Sequence, residues 1–552
     1  MSLVVAGSAG RERKAAGDVS EQLGSHVGTQ GESPVGGQVG FRNQVRARWR
    51  ALPQLERAGI VIAVTVALAI GLFFIDHALG YAAVLLATLY WLHRLPDPWV
   101  RMAAQAGLIV LLAVLAAFWT TPWSLVILLA IGTAVFWIPG RYHSSAFPAI
   151  GLLLAVLYPF YADQMFTMPV FGVWPDVATG VYMLVFVMMA VGLNIVVGYA
   201  GLLDLGYVAF YATGAYTAAW FASLQFPHVN WHFGAIGIDK SLVGVHVSLW
   251  LLLPLAGMIT ALFGIIIGLP TLRLRGDYLA IVTLGFGEIL PQVARNSDNL
   301  FGTGFNLTNG PNGITPLDAP GFGNHLTHIT GGFLPANYLQ CCTRSVNVGF
   351  LNIHHQIQSA DVYFWTAIVL LLFTVFCSLR LQYSRLGRAW IAIREDETAA
   401  AAMGIPLMRT KTWAYASGAF FGGIAGAYYA AFKSATFPGD FFFNISVFIL
   451  CMVILGGMGN IWGVVVGAAF LAYLNQEGLA NTGAWLNTNI HVGGWHPNLD
   501  VPLYASGIYG LIILIVMLFR PEGLIPSRRR AAEFHEGVHD QPLYDAAHAG
   551  TE

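Results

Sequence analysis

Residues 178–223 read ATGVYMLVFVMMAVGLNIVVGYAGLLDLGYVAFYATGAYTAAWFAS. Two apolar stretches, 178–199 and 207–223, are joined by the glycine-rich segment Gly201-Leu202-Leu203-Asp204-Leu205-Gly206. Each stretch approaches the roughly 20 apolar residues that a helix needs to cross a bilayer. Asp204 is the sole charged residue of the run. An interrupted helix frees backbone N–H and C=O groups, which at membrane depth are tolerated only where protein or water covers them. Leu455-Gly456-Gly457-Met458-Gly459-Asn460-Ile461-Trp462-Gly463 is a second break of this kind. In transporters such breaks flank the substrate route.

Outward from this run, apolar windows recur near 58–75, 79–93, 102–119, 123–138, 146–161, 247–269, 279–291, 362–379, 412–431, 445–458, 461–475 and 504–519. The windows at 279–291 and 445–475 are short enough to be half-helices or a re-entrant pair. The expected fold is all-α: a polytopic transmembrane bundle of about 10–14 segments with interrupted or half-helices. Composition agrees. The 552 residues are 56% hydrophobic and only 10% charged, against about 25% charged in a soluble domain. The missing charge fits lipid as the main solvent. A net charge of −1 gives no reason to expect nucleic acid as a partner. The four cysteines are too few for a disulfide framework; Cys377 and Cys451 lie in apolar runs and read as packing residues, and the adjacent Cys341 and Cys342 are given no role.

Basic residues set the orientation. With the N-terminus inside, the inner connections hold Arg94, Arg101, Arg141, Arg273, Arg275, Arg380, Arg385, Arg388, Arg394, Arg409, Lys411, Arg520 and Arg528–Arg530. The outer ones hold Lys240, Arg295, Arg344 and Lys433. This asymmetry is that of the positive-inside rule. It places both termini, the 380–411 loop and the Arg-rich end in the cytoplasm, and the 292–361 connection outside. That connection is too long for a plain connector. It reads as a small external cap or docking surface, or as a partly ordered loop. Residues 1–54 form a polar, disordered cytoplasmic tail without signal-peptide features. Residues 55–177 form a transmembrane extension, and 528–552 a polar cytoplasmic tail.

The carboxylates, the residues beside the breaks and one cytoplasmic loop carry the functional reading. A carboxylate within such segments is costly and marks a pathway or a paired contact. Asp204 and Glu288 are therefore candidate route residues, with Tyr207, Tyr211, Tyr216, Gly456, Gly457 and Gly459 beside the breaks. A helix cap at Asp204 and a structural hydrogen bond at Glu288 remain open alternatives. Gly264/Gly268, Gly418/Gly422/Gly426 and Gly463/Gly467 have the spacing of close helix packing. The loop Arg385–Pro406 places Arg388 and Arg394 before Glu395-Asp396-Glu397 and an alanine run that ends at Gly404. Carboxylates suit the positive end of a helix and alanine is the best helix former. The result is a short cytoplasmic helix shaped to sit in a groove on another protein, unless it lies at the interface without a partner.

Other chemistries are discounted. His535-Glu536-Gly537-Val538-His539 matches a zinc-protease pattern, but it lies in a polar tail with a central glycine, so no metal site is expected. The only lysines are Lys14, Lys240, Lys411 and Lys433, and none completes a phosphate-binding loop. No Ser-His-Asp grouping has convincing local context.

The run Gly192–Phe210 resembles the signature of LivM-type permeases, membrane subunits of ABC importers for branched-chain amino acids. Leu272–Tyr278, Gly310–Ile314, Gly387-Arg388 through Gly404-Ile405, Leu455–Gly459 and Phe519–Leu524 follow in the same order. The resemblance covers a permease core at about 178–527 of the 552 residues. It implies a LivH-like second permease, two ABC ATPase subunits carrying ATP and Mg, an external substrate-binding protein and a bacterial inner membrane location. This chain is then a translocation subunit, not an enzyme, and itself binds no cofactor. The helix at 394–404 becomes the coupling helix, with Arg394, Glu395, Asp396 and Glu397 docking the ATPase. Urea permeases share much of the pattern. An ion-coupled secondary transporter using Asp204 or Glu288 is a rival from another class.

Overall fold

The computed structural model describes residues 143–162, 174–234, 242–274, 277–299, 302–329, 335–338, 345–348, 353–489, 500–520 and 523–525. All fall in one structural unit, residues 97–552. The segments expected at 58–75, 79–93, 102–119 and 123–138, both tails and the His535 motif lie outside the described residues. Every segment expected from 146 onward is a helix.

In chain order the helices are α1 (His143–Tyr161), α2 (Val177–Asn194), α3 (Val208–Phe221), α4 (Leu249–Thr271), α5 (Asp277–Arg295), α6 (Gly323–Ile329) and α7 (Ser359–Tyr383). They continue as α8 (Arg385–Glu395), α9 (Glu397–Ala402), α10 (Leu407–Lys433), α11 (Phe443–Gly456), α12 (Ile461–Tyr473), α13 (Leu479–Asn489) and α14 (Ala505–Phe519). α2 and α12 each run on into a π-turn, Ile195–Tyr199 and Leu474–Gly478. Among the described residues, five helical stretches are long and apolar enough to cross a membrane: Val177–Tyr199, Leu249–Thr271, Ser359–Tyr383, Pro438–Gly456 and Val501–Phe519. Only 6% of the last is buried, against 78% of the first. α2 is therefore central and α14 peripheral.

Small residues explain how the core closes. α10 is 27 residues long and packs against α2, α3 and α4. At Gly426 a side chain would run into the Tyr211 carbonyl of α3, and at Gly423 into Thr260 of α4. At Gly264 a Cβ would lie 2.7 Å from Ala419 Cβ. At Gly268 it would meet ordinary 3.5 Å contacts, so that spacing is not a close approach. α11 and α12 form a hairpin in which Gly456 meets Gly463 and Gly467. Cys377 and Cys451 are free thiols on α7 and α11, half-buried and buried.

The end opposite the two breaks carries the β structure. Strands β1 (Ala222–Ser223), β2 (Asn230–Phe233) and β3 (Gly244–Val247) form a sheet of order β1-β3-β2, antiparallel then parallel. The long connection after α5 holds a 3-10 turn at Gly310–Asn312, α6, and an antiparallel hairpin of β4 (Ser345–Val348) and β5 (Ile353–Gln356). It ties helix ends together. Ile314 N–H donates to Thr436 O at 3.0 Å, Leu317 N–H to Ser434 O at 3.1 Å, and Asp318 N–H to Ala222 O at 2.8 Å. The all-α expectation holds for the bundle, and these small sheets are an addition at its rim.

Candidate functional site

The first break is an extended segment between α2 and α3, and its freed backbone groups are met by side chains from other helices. Asp204 is 1% exposed. Its Oδ1 accepts from Gly206 N–H at 2.9 Å. Leu205 N–H donates to Thr283 Oγ1 of α5 at 3.0 Å, and Val208 N–H to Ser446 Oγ of α11 at 2.8 Å. A side chain at Gly206 would strike the Thr283 carbonyl, so glycine lets α5 lie against the break. Asp204 caps the backbone with Oδ1, and its carboxyl faces the buried Tyr415 hydroxyl of α10, its side-chain partner.

The second break adjoins the first. Gly457 and Gly459 have φ of 109° and 87°, backbone that L side chains rarely adopt. Gly459 N–H donates to Asn194 Oδ1 at the end of α2, at 2.9 Å. Asn460 Oδ1 caps α12 by accepting from Trp462 N–H at 3.2 Å. Between the breaks sits Arg394 of α8. Its guanidinium donates to the Gly198 carbonyl of the π-turn at 2.7 Å. Its Cγ lies 2.7 Å from where a Gly201 Cβ would be, and its Nη1 3.2 Å from that of Gly459. A cavity of about 130 Å³ opens here, bounded by Gly201, Leu203, Leu274, Arg394, Glu397 and Lys411.

The expected single helix at 394–404 is two helices. Asp396, extended at φ −152° and ψ 112°, separates α8 from α9 and caps α9. Its Oδ1 accepts from Thr398 N–H at 2.7 Å and Ala399 N–H at 3.0 Å. These backbone donors hold its carboxyl below the usual carboxylate range. Gly404, at φ 84°, ends α9: its N–H donates to Ala401 O and Ile405 N–H to Ala400 O, a Schellman motif. The outer face is low in bulk. Glu395, Asp396, Thr398, Ala399, Ala401, Ala402 and Gly404 are exposed, and Met403 is 84% exposed. Arg388 is exposed, with Nη1 donating to Tyr383 O at 3.1 Å.

Two of the expected docking residues turn inward. Arg394 is on the inner side, because α8 buries Gly387, Trp390 and Ile393 and Arg394, four positions after Trp390, falls on the same stripe. Glu397 is half-buried and ion-paired to Lys411 of α10 at 2.8 Å. Trp390 Nε1 donates to Thr410 O at 2.8 Å. α8 and α9 are thereby fastened to the start of α10.

The remaining candidates are placed differently. Tyr207 is fully buried, and its hydroxyl donates to Gly418 O at 2.9 Å. Tyr211 packs on Tyr429 and Phe441, and Tyr216 on Trp220 and Phe441. These tyrosines fill the bundle. Gly456 is a packing contact to α12. Glu288 is exposed on α5, away from both breaks' hydrogen bonds. The structure thus joins Asp204, Tyr207, Gly457, Gly459 and Arg394 into one neighbourhood and leaves Tyr216 and Glu288 outside it. It adds Asn194, Thr283, Tyr415, Ser446 and Lys411. Asn194 was visible as a lone amide in an apolar run; Thr283 and Ser446 carry no sequence signal, since small hydroxyls are common in such helices.

Residues 177–517 match the family described as branched-chain amino acid transport system, permease component. The high-affinity branched-chain amino acid transport system permease protein LivM of Salmonella typhimurium is 33% identical over 390 residues, 70% of this chain and 76% of that protein. The protein of the same name from Escherichia coli is 32% identical over 391 residues, with the same coverage. A probable LivM of Methanocaldococcus jannaschii is 24% identical over 282 residues, 50% of this chain and 69% of that protein. No solved structure matches. A helical bundle with spans of membrane length, two glycine breaks and a matched core over most of its described residues identifies this chain as a multi-pass membrane protein belonging to the family of branched-chain amino acid transport permease components.

Proposed function

We propose that this chain is one of two permeases in an ABC importer that carries branched-chain amino acids into the cell. The observation that carries the proposal is the link from α9 to both breaks. The exposed, low-bulk face of α9 seats in a groove on an ATPase subunit. α8 carries Arg394, which holds the Gly198 carbonyl between the breaks. A second, LivH-like permease completes the route, two ATPases supply ATP and Mg chemistry, and an external binding protein delivers the substrate. Closure of the ATPase pair would move α8 and α9 as a body, and Arg394 with the Trp390–Thr410 bond would pass that motion to α2, α12 and α10. Access then switches between two packed states with no chemistry on the substrate.

Charge supports the orientation. Arg273, Arg380, Arg385, Arg388, Arg409 and Arg520 all lie at the end that carries α8 and α9, so that end faces the cytoplasm. Both termini are assigned there, and the inner membrane is the location. The test is uptake by proteoliposomes holding this chain with its partner permease, ATPases and binding protein. ATP-dependent accumulation of labelled leucine is expected. Accumulation driven by an ion gradient with this chain alone, or of urea in place of leucine, would overturn the assignment.

A further inference from the structure

α5 has two unlike faces. Leu279, Thr283, Gly287 and Ala294 are buried, and Thr283 and Gly287 lie against Gly206 and Val208 of the first break. The opposite face is open. It carries Ile281, Glu288, Ile289, Gln292 and Val293, with Ile281 64%, Ile289 55% and Val293 52% exposed. At Gly285 a Cβ would meet nothing within 4 Å. Glu288 is eleven residues into this helix of 19, about 16 Å along its axis. Its position is therefore near mid-depth, between the end carrying Arg273 and the end where Arg295 O approaches Gly310.

A charge facing hydrocarbon at that depth is costly, so such a carboxylate marks a pathway or a paired contact. Among the described residues α5 is absent from the stretches apolar enough to cross lipid unaided. Its open face, acidic and amide at its centre with aliphatic residues around, matches a substrate with an ammonium group and a branched apolar side chain. We propose that this face of α5 walls the translocation route and that the Glu288 carboxylate receives the ammonium of the amino acid in transit. The proposal rests on the importer assignment above. It adds that α5 moves with the first break, because Gly206 and Gly287 bring the two backbones together.

The test uses the assembled, reconstituted complex. Glu288→Gln is expected to lower leucine transport at saturating loaded binding protein by roughly tenfold or more, with the half-saturating concentration of the binding protein unchanged. Glu288→Asp is expected to recover part of the rate, and co-purification of the partner permease to stay intact. In a cysteine-free background, Glu288→Cys is expected to react with a membrane-impermeant cationic thiol reagent, and leucine delivered by the binding protein to slow that reaction. Unchanged transport in Glu288→Gln would overturn the proposal. So would loss of the partner permease, which marks an inter-chain ion pair, or a thiol unreactive in the assembled complex. ATP-driven leucine uptake by the unaltered complex is measured alongside. Its presence with a normal Glu288→Gln rate sinks only the Glu288 role; its absence sinks the importer assignment itself.

Discussion

Arg394 donates to a carbonyl in the last turn of a helix that stops at the first break, and it does so from a helix the sequence had marked for external docking. The last carbonyls of a helix have no partner within it, and a guanidinium answers with several donors in a fixed fork. Arg394→Lys, with one point charge, should hold the breaks less well and lower transport without dispersing the complex. Uptake and subunit co-purification measured on the same preparation check this. Asp396 belongs to the same scale. Its carboxyl sits low because two backbone N–H groups hold the charged form. A depressed folded value stabilises α9 throughout the range above the ordinary carboxylate value, and that stabilisation is lost as pH falls through the depressed value. ATPase co-purification should therefore be flat from neutral to about pH 5 and weaken only in stronger acid. Asp396→Ala should weaken it at neutral pH, and Asp396→Ser, which can still cap, should restore most of it.

At the scale of elements, close approach separates glycines that spacing alone could not. Gly264, Gly268 and Gly426 all sit in small-residue patterns. Gly426→Ala would force α10 off α3 at the Tyr211 carbonyl, whereas Gly268→Ala meets only ordinary contacts. The first should lower the thermal unfolding midpoint of the purified protein sharply, and the second should leave it within error. The rim latch is a second element-level device. Buried His246 of β3 meets Asp318 at 2.8 Å and stacks on His232 at 4.8 Å between ring centroids. Asp318→Ala leaves a buried imidazole nitrogen without its partner, at about 1–3 kcal/mol, and should release the connection after α5. Faster proteolysis of that connection is the measurement.

Helices were legible because apolar length is a local property. From 146 onward each window became a helix, and even the breaks at Gly201–Gly206 and Gly456–Gly459 lie where the glycines stand. The strands at 222–247 were not legible: they are two to four residues long, and their pairing depends on non-local register. The split at Asp396 was half legible. Its acidic cap was visible, but the alanine run drew the boundary one turn too early. Orientation of side chains was the least legible, because whether Arg394 faces an outside partner or an inner carbonyl depends on Gly198, distant in sequence.

Over the whole molecule, the α8–α9 end, the two breaks and α5 form one connected path. α9 meets α8 at Asp396; Arg394 joins α8 to the π-turn and both breaks; Thr283 joins the first break to α5. Contact continuity becomes coupling only where the path has two arrangements that both ends bias. The most direct test is the reconstituted complex with Arg394→Ala, with ATP hydrolysis and leucine uptake measured together. The expected result is assembled complex that still hydrolyses ATP while uptake falls by at least about tenfold. Uptake at the unaltered rate, with hydrolysis and uptake still in step, would contradict a path that runs through Arg394.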